Sequence, residues 1–296
     1  MRLGKGKILF AVLAAGFLFS AGAFATEFGG GSYPNGADDF MLGALPPPGT
    51  YILNYTTCYT ANKFKSSLVP PDFKLQVFAD VFRIVHVTRQ QVLGASWAMH
   101  AFIPVACLDV TMGGQSDNKW GLGDIIIDPF ILGWHSKNWH TTTGLDIYLP
   151  TGAYSSTDLA NIGRNYWTFE PVVAFTYIGD SGFEVSTKFM YDFNTENDDT
   201  DYSSGQEFHM DYTVGRRISK NCSLGLGGYW YAQMTDDKVN GITVGTDGFK
   251  GNVVGVGPQV KFDWGKKSLI LKYQKEFCVD NKPEGDKFWL KFVAAL

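Results

Sequence analysis

The stretch Phe183-Glu-Val-Ser-Thr-Lys-Phe-Met-Tyr-Asp-Phe193 decides the fold of this chain. Side chains alternate faces along an extended backbone, so Phe183, Val185, Thr187, Phe189, Tyr191 and Phe193 share one side, and Glu184, Ser186, Lys188 and Asp192 share the other. The same split recurs further on. Phe208, Met210, Tyr212 and Val214 oppose His209, Asp211 and Thr213. Val254, Val256, Pro258, Val260, Phe262 and Trp264 oppose Gln259, Lys261 and Asp263. Leu269, Leu271, Tyr273 and Phe277 oppose Lys272, Gln274 and Glu276, with Lys275 as an exception on the apolar side.

Read outward from these segments, the pattern predicts twelve strands at about 49–60, 73–88, 92–108, 120–135, 139–150, 164–178, 183–194, 206–218, 222–235, 250–264, 267–279 and 285–295. Short turns near Arg89-Gln90, Ser136-Lys137, Gly179–Gly182, Ser219–Asn221 and Gly265-Lys266 take turns with longer connections at 61–72, 109–119, 151–163, 195–205 and 236–249. Soluble sandwiches have no cause to alternate loop length in this way. Outer-membrane barrels do, with short periplasmic turns and long external loops. The expectation is an all-β, antiparallel transmembrane barrel of about twelve strands with both termini periplasmic. Aromatic residues at strand ends, among them Trp134, Trp139, Tyr148, Tyr177, Trp230 and Trp264, suit the interfacial girdles of such a barrel. The last strand alternates through Phe288, Leu290, Phe292 and Ala294 to the terminal Leu296.

Three segments are expected. Arg2, Lys5 and Lys7 precede an apolar run from Ile8 to Phe19 that ends at Ala23-Phe24-Ala25, the layout of a secretory signal peptide over 1–25. Residues 26–48 are rich in Gly and Pro and read as irregular, either a plug folded into the lumen or a periplasmic tail; residues 49–296 form the barrel. Without the signal peptide the chain keeps 22 Lys+Arg against 29 Asp+Glu, a formal charge of −7. Such an acidic exported chain is a poor nucleic-acid partner. Cys58, Cys107, Cys222 and Cys278 are too scattered for a CxxC motif and read as strand-borne, apolar-packed side chains whose pairing spacing alone does not settle.

Several stretches carry a family resemblance: Leu159-Ala-Asn-Ile-Gly-Arg-Asn-Tyr-Trp-Thr-Phe-Glu-Pro171, Tyr33-Pro-Asn-Gly-Ala37, Gly43-Ala-Leu-Pro-Pro-Pro48, Gly121-Leu-Gly-Asp124, Leu145-Asp-Ile-Tyr-Leu-Pro-Thr-Gly152, Met190-Tyr-Asp-Phe-Asn-Thr-Glu-Asn197 and Tyr202-Ser-Ser-Gly-Gln-Glu-Phe-His209. In these the chain resembles the transporter family associated with the meta-pathway of phenol degradation. The resemblance implies a barrel in the outer membrane of a Gram-negative bacterium that passively admits small hydrophobic or aromatic compounds. Its implied partners are the solute, the outer-membrane lipids and the barrel-insertion machinery. No cofactor is implied, and no catalytic or metal-binding residue is assigned.

The inward-facing set expected to meet solute or line the lumen is Asp80, His100, Asp124, Asp128, Asp146, Glu170, Lys188, Asp192, His209, Asp211, Lys261, Asp263, Lys272 and Glu276. Arg164, Tyr166 and Trp167 join it where a long loop enters a strand, because a guanidinium and aromatic rings can hold a small aromatic acid. A salt-bridged structural lining is the alternative for each, since buried charges need partners in either case. Asp38 and Asp39 are the plug candidates, expected to meet Lys188, Lys261 or Lys272. The acidic loop Asn194–Asp201 lacks the spacing of an EF-hand and reads as solvated. The glycines in Gly225-Leu-Gly-Gly228 are expected to permit curvature or close contact with a plug. Two further readings of function remain: a structural barrel sealed by charge pairs, and an outer-membrane lipid hydrolase, for which no G-x-S-x-G elbow is present.

Overall fold

A computed structural model describes residues 26–66 and 69–296; the expected signal peptide lies outside them. The barrel strands are β1 (Gly49–Phe64), β2 (Lys74–Val92), β3 (Ala95–Met112), β4 in two pieces (Gln115–Leu122 and Ile125–His135), β5 (Trp139–Leu149), β6 (Thr168–Ile178), β7 (Phe183–Asn194), β8 (Glu207–Ser219), β9 (Cys222–Gln233), β10 (Asn252–Trp264), β11 (Lys267–Asp280) and β12 (Pro283–Ala295). Each pairs antiparallel with its sequence neighbours, and β12 pairs with β1 from Tyr51↔Ala295 to Phe64↔Pro283. The sheet is therefore closed, which leaves no unpaired edge in the hydrocarbon layer.

The facing read from the alternation holds over the second half of the barrel. Glu184, Ser186, Met190 and Asp192 of β7 are buried, whereas Phe183, Val185 and Phe193 stand exposed on the outer surface. The outer face carries Phe78, Phe82, Ile84, Ile103, Phe169, Phe175, Leu224, Phe262 and Phe288, an apolar band of the kind lipid tails cover. Lys275, the exception in the pattern, does lie outside, 3.2 Å from Asp286. Cys58, Cys107 and Cys278 are exposed on this outer surface, and no cysteine is paired.

Three expectations need correction. The predicted loop at 109–119 is a hairpin: β3 and the first piece of β4 pair from Val105↔Leu122 to Met112↔Gln115 around Gly113-Gly114, both at positive φ as so tight a turn requires. Strand β4 is broken at Gly123-Asp124, opposite Pro104, which has no N–H to give the ladder. The described chain ends do not share one side of the barrel. Leu296 donates to the Thr50 carbonyl at the short-turn end, whereas Glu27 bonds Asn197, Thr200 and Tyr154 in the long loops at the other.

Residues 26–48 run between those two ends through the interior. Lys282 holds the Gly29 carbonyl (3.2 Å), Ser32 meets Thr168 (2.7 Å), Met41 donates its N–H to Glu184 (2.5 Å), and Gly43 donates to Thr176 (2.9 Å). Gly215 and Gly225 make room for Phe40, since a Cβ added at Gly215 would stand 2.7 Å from its ring. At the long-loop end, Glu196–Asn197, Tyr202–Ser203, Lys238–Val239 and Ile242–Thr243 form a small four-stranded sheet, so the segment expected to be a solvated acidic loop is partly ordered.

Candidate functional site

The barrel wall grips residues 33–39 from several strands. Asp211 of β8 accepts from the Tyr33 hydroxyl (2.7 Å) and from the N–H groups of Gly36 and Asp38 (both 3.1 Å). Three strands along the wall, the Lys272 ammonium of β11 donates to the carbonyls of Gly36, Ala37 and Asp38 at 2.5, 2.8 and 2.6 Å. Asp38 pairs with Lys188 (3.0 Å) and Asp39 with Lys291 (3.2 Å). Of the expected partners only Lys188 meets a side-chain carboxylate of this segment; Lys272 takes backbone carbonyls, and Lys261 pairs with Asp263 (3.3 Å). Glu276 is held by Tyr59 (2.7 Å), the Gly285 N–H (2.7 Å), Tyr229 and Lys287.

Among the described residues, two cavities adjoin this segment, the smaller chiefly against the β1–β5 side of the wall and the larger also reaching β10, β11 and β12. One, of about 170 Å³, is lined by Ala79, Val81, Phe102, Pro104, Ala106 and Ile126 on the wall, with Tyr33, Pro34 and Ala37 opposite. The other, of about 370 Å³, lies toward the short-turn end among Leu45, Leu53, Ile131, Lys261, Ile270 and Val293. Asp38, Asp146 and Lys188 line both and form a charged neck between them. The neck is a relay of contacts: Lys188 to Asp38, His100 Nε2 to Asp146 (2.8 Å), Arg83 to His100 Nδ1 (2.8 Å), and Arg83 to the Tyr55 hydroxyl (3.1 Å). Because Nδ1 of His100 faces a guanidinium, it accepts, and Nε2 carries the proton given to Asp146.

The remaining expected residues divide into wall, hinge and rim. Glu170, Asp192, His209 and Asp211 are fully buried inside. Asp128 caps the irregular turn of β4 by accepting from Phe130 (2.7 Å) and Leu145 (2.8 Å). Asp124 sits in the break of β4 and accepts from Gly152 (2.8 Å) and Arg164 (2.7 Å), tying the 150–167 loop down. Arg164 and Asp124 border the smaller cavity, and Tyr166 is buried at the long-loop end. There burial also raises the Glu27 carboxyl above its ordinary range, partly offset by donors from Asn197, Thr200 and Tyr154.

Two expected lumen residues face outward. Asp80 lies on the outer side of β2 with Phe78 and Phe82, where Asn54 (2.9 Å) and Thr56 (3.0 Å) satisfy it. Trp167 is exposed and stacks on Phe169, ring centroids 6.4 Å apart. The inner face of β2 carries Ala79, Val81, Arg83 and Val85 instead, so Arg83 was missed because its neighbours on that face are apolar. Tyr33, Asn35, Glu207, Lys287 and Lys291 were missed too; the β12 lysines do alternate with Phe288, Leu290 and Phe292, which was the available signal.

A closed twelve-stranded barrel with an apolar belt and a charged interior is the architecture of an outer-membrane β-barrel. Within that class, the chain belongs to the family described as "Putative MetA-pathway of phenol degradation", which matches residues 59–292. Its fold is similar to that of an outer membrane channel from Pseudomonas putida F1 (TM-score 0.79, 17% identity, covering 88% of this chain and 99% of that one). It is also similar to the β domain of the Bordetella autotransporter BrkA (0.52, 12%, 84% and 99%) and to the translocator domain of the autotransporter NalP from Neisseria meningitidis (0.51, 8%, 85% and 90%). A search of curated protein sequences finds no significant match.

Proposed function

We propose that this protein is a passive channel for small hydrophobic or aromatic compounds, with the two cavities as its route and residues 26–48 as the constriction that narrows it. The observation that carries this reading is the smaller cavity, in which Ala79, Val81, Phe102, Pro104 and Ala106 make an apolar wall while Asp38, Asp124, Asp146, Arg164 and Lys188 supply charge at its edges. Apolar solutes partition into such a surface while ions and sugars gain nothing there. The neck of Arg83, His100, Asp146, Lys188 and Asp38 then supplies cations and hydrogen-bond donors that suit a phenolic or carboxylate group on the passing molecule. The family's association with phenol degradation supports this choice of solute.

The test is growth on limiting phenol or toluate with the wild-type gene, without it, and with Ala106→Trp, which fills the apolar chamber. Slow growth of the deletion and of the Trp variant, both equal to wild type on succinate, is the expected result. Equal growth of all three on every substrate overturns the reading. A second reading, a barrel sealed by its charge pairs, is favoured by the three carbonyls locked on Lys272. Removing residues 26–45 separates the two: a channel already open in planar bilayers changes its conductance, whereas a sealed barrel conducts only after the deletion.

A further inference from the structure

On the wall facing Asn35, three carboxylates and one imidazole meet with almost no cation among them. Glu170 of β6, Asp192 of β7, and Glu207 and His209 of β8 are each completely shielded from solvent. Ligand atoms of Glu170, Asp192 and His209 lie within 4.8 Å of one another. Their bonding is incomplete. Glu170 uses one oxygen to accept from Tyr148 (3.3 Å) and leaves Oε1 without a partner; Asp192 Oδ1 also has none, and Glu207 Oε2 has only the His209 imidazole, 3.4 Å away. Buried carboxylate oxygens in that condition cost several kcal/mol each unless a positive charge compensates them.

The histidine is oriented as a ligand. Its Nδ1 lies 2.7 Å from the Asn35 side-chain oxygen, which cannot donate, so Nδ1 carries the proton and Nε2 turns toward Asp192 (3.2 Å) and Glu207 (3.4 Å). A second proton on Nε2 would serve Asp192 Oδ2 and Glu207 Oε2 and leave Glu170 Oε1 and Asp192 Oδ1 unserved. A cation would serve all of them. We propose that Glu170, Asp192 and His209 hold a divalent cation of the Zn²⁺ or Mn²⁺ type, with Glu207 as a further oxygen ligand and Asn35 as the group that orients the imidazole. Mixed imidazole and carboxylate donors suit these ions, and metal-bound histidines ordinarily give their other N–H to an oxygen. Bonds of about 2.1 Å hold ligand atoms no more than about 4.2 Å apart, so the side chains close by a few tenths of an ångström on binding. A second grouping of this kind among the described residues, His100 with Asp128 and Asp146, already contains the Arg83 guanidinium and has its carboxylates bonded.

The full-length folded protein is stripped with EDTA in detergent, titrated with Zn²⁺ or Mn²⁺, and its metal content measured, with heat-modifiable electrophoretic mobility as the check of folding. One equivalent per chain is expected, with the thermal midpoint rising as metal is added. It should survive His140→Ala, which removes the exposed His135–His140 pair (3.2 Å), the obvious adventitious site. Glu170→Gln with Asp192→Asn should abolish it. Asn35→Ala lies outside the strands, leaves every proposed ligand in place and should weaken binding about 10- to 100-fold. Absence of binding to the wild type overturns the proposal and assigns the site to carboxyls sharing a proton; an equivalent lost with His140→Ala, or unchanged in Asn35→Ala, overturns it as well.

Discussion

Replacing Lys272 by Met tests how residues 33–43 are held. The ammonium makes three hydrogen bonds to consecutive carbonyls, and bonds of this charged kind contribute about 1.5–3 kcal/mol each. Three bonds from one ammonium are not additive, and that group gave up its hydration to make them. The Met side chain keeps the packing against Trp289 (the ammonium stands 5.2 Å from its ring) but satisfies none of the carbonyls. A net loss of about 3 kcal/mol for local release is a reasonable figure, which is roughly a hundredfold in the opening equilibrium. Hydrogen exchange reads this directly, because the amides of Gly36 and Asp38 are closed onto Asp211, Met41 onto Glu184 and Gly43 onto Thr176. The peptide spanning 33–43 should exchange about a hundredfold faster in Lys272→Met, while peptides from β6 to β9 keep their protection. Unchanged exchange would refute the anchoring; equal acceleration throughout the barrel would show that Lys272 stabilises the wall instead.

Gly36 has φ +79° and an added Cβ would collide with Tyr229 and Gln274, so Gly36→Ala should loosen the same peptide by about 1–3 kcal/mol in the exchange measurement. Asp237, in the long loop after β9, is pushed up to about 7 by burial, more than donors from Gly205 and Tyr202 lower it. Its folded value exceeds its unfolded one, so its contribution is complete below about pH 4 and lost as pH rises through about 7. Proteolytic nicking of the 236–249 loop should therefore accelerate from pH 5 to 8 in the wild type, and Asp237→Asn should flatten that profile. The outward thiols of Cys58 and Cys107 should react in proteoliposomes with a lipid-soluble maleimide and resist a charged one; equal reaction with both would contradict the outward facing of β1 and β3.

The sequence alternation was readable where the wall faces the charged half of the lumen. Along β7 and β8 the charged residues of the pattern, Glu184, Lys188, Asp192, His209 and Asp211, point inward, where the enclosed segment presents Asn35, Asp38 and backbone groups that need partners. The rule failed at β2 for a physical reason: its inner face lines the apolar cavity, so both faces are apolar and the lone Asp80 misled. Arg83, three residues on and of opposite parity, carries the lumen charge. Trp167 misled similarly, since an aromatic beside Arg164 reads as a binding group but belongs to the outer girdle with Phe169. Contacts of Lys272 with backbone carbonyls had no signature, because any residue offers a carbonyl.

Residues 26–48 precede β1 and lie inside a cylinder whose seam is the pairing of β1 with β12. Since β1 begins at the short-turn end and Glu27 reaches the opposite one, the chain doubles back along the full height of the barrel before its first strand. A closed wall of this narrowness gives little clearance to a polypeptide carrying Tyr33 and Phe40. The wall is accordingly fastened from within: one stretch of backbone ties β7, β8, β11 and β12 together through Asp38, Tyr33, the carbonyls on Lys272 and Asp39, an internal brace at right angles to the hydrogen-bond ladder.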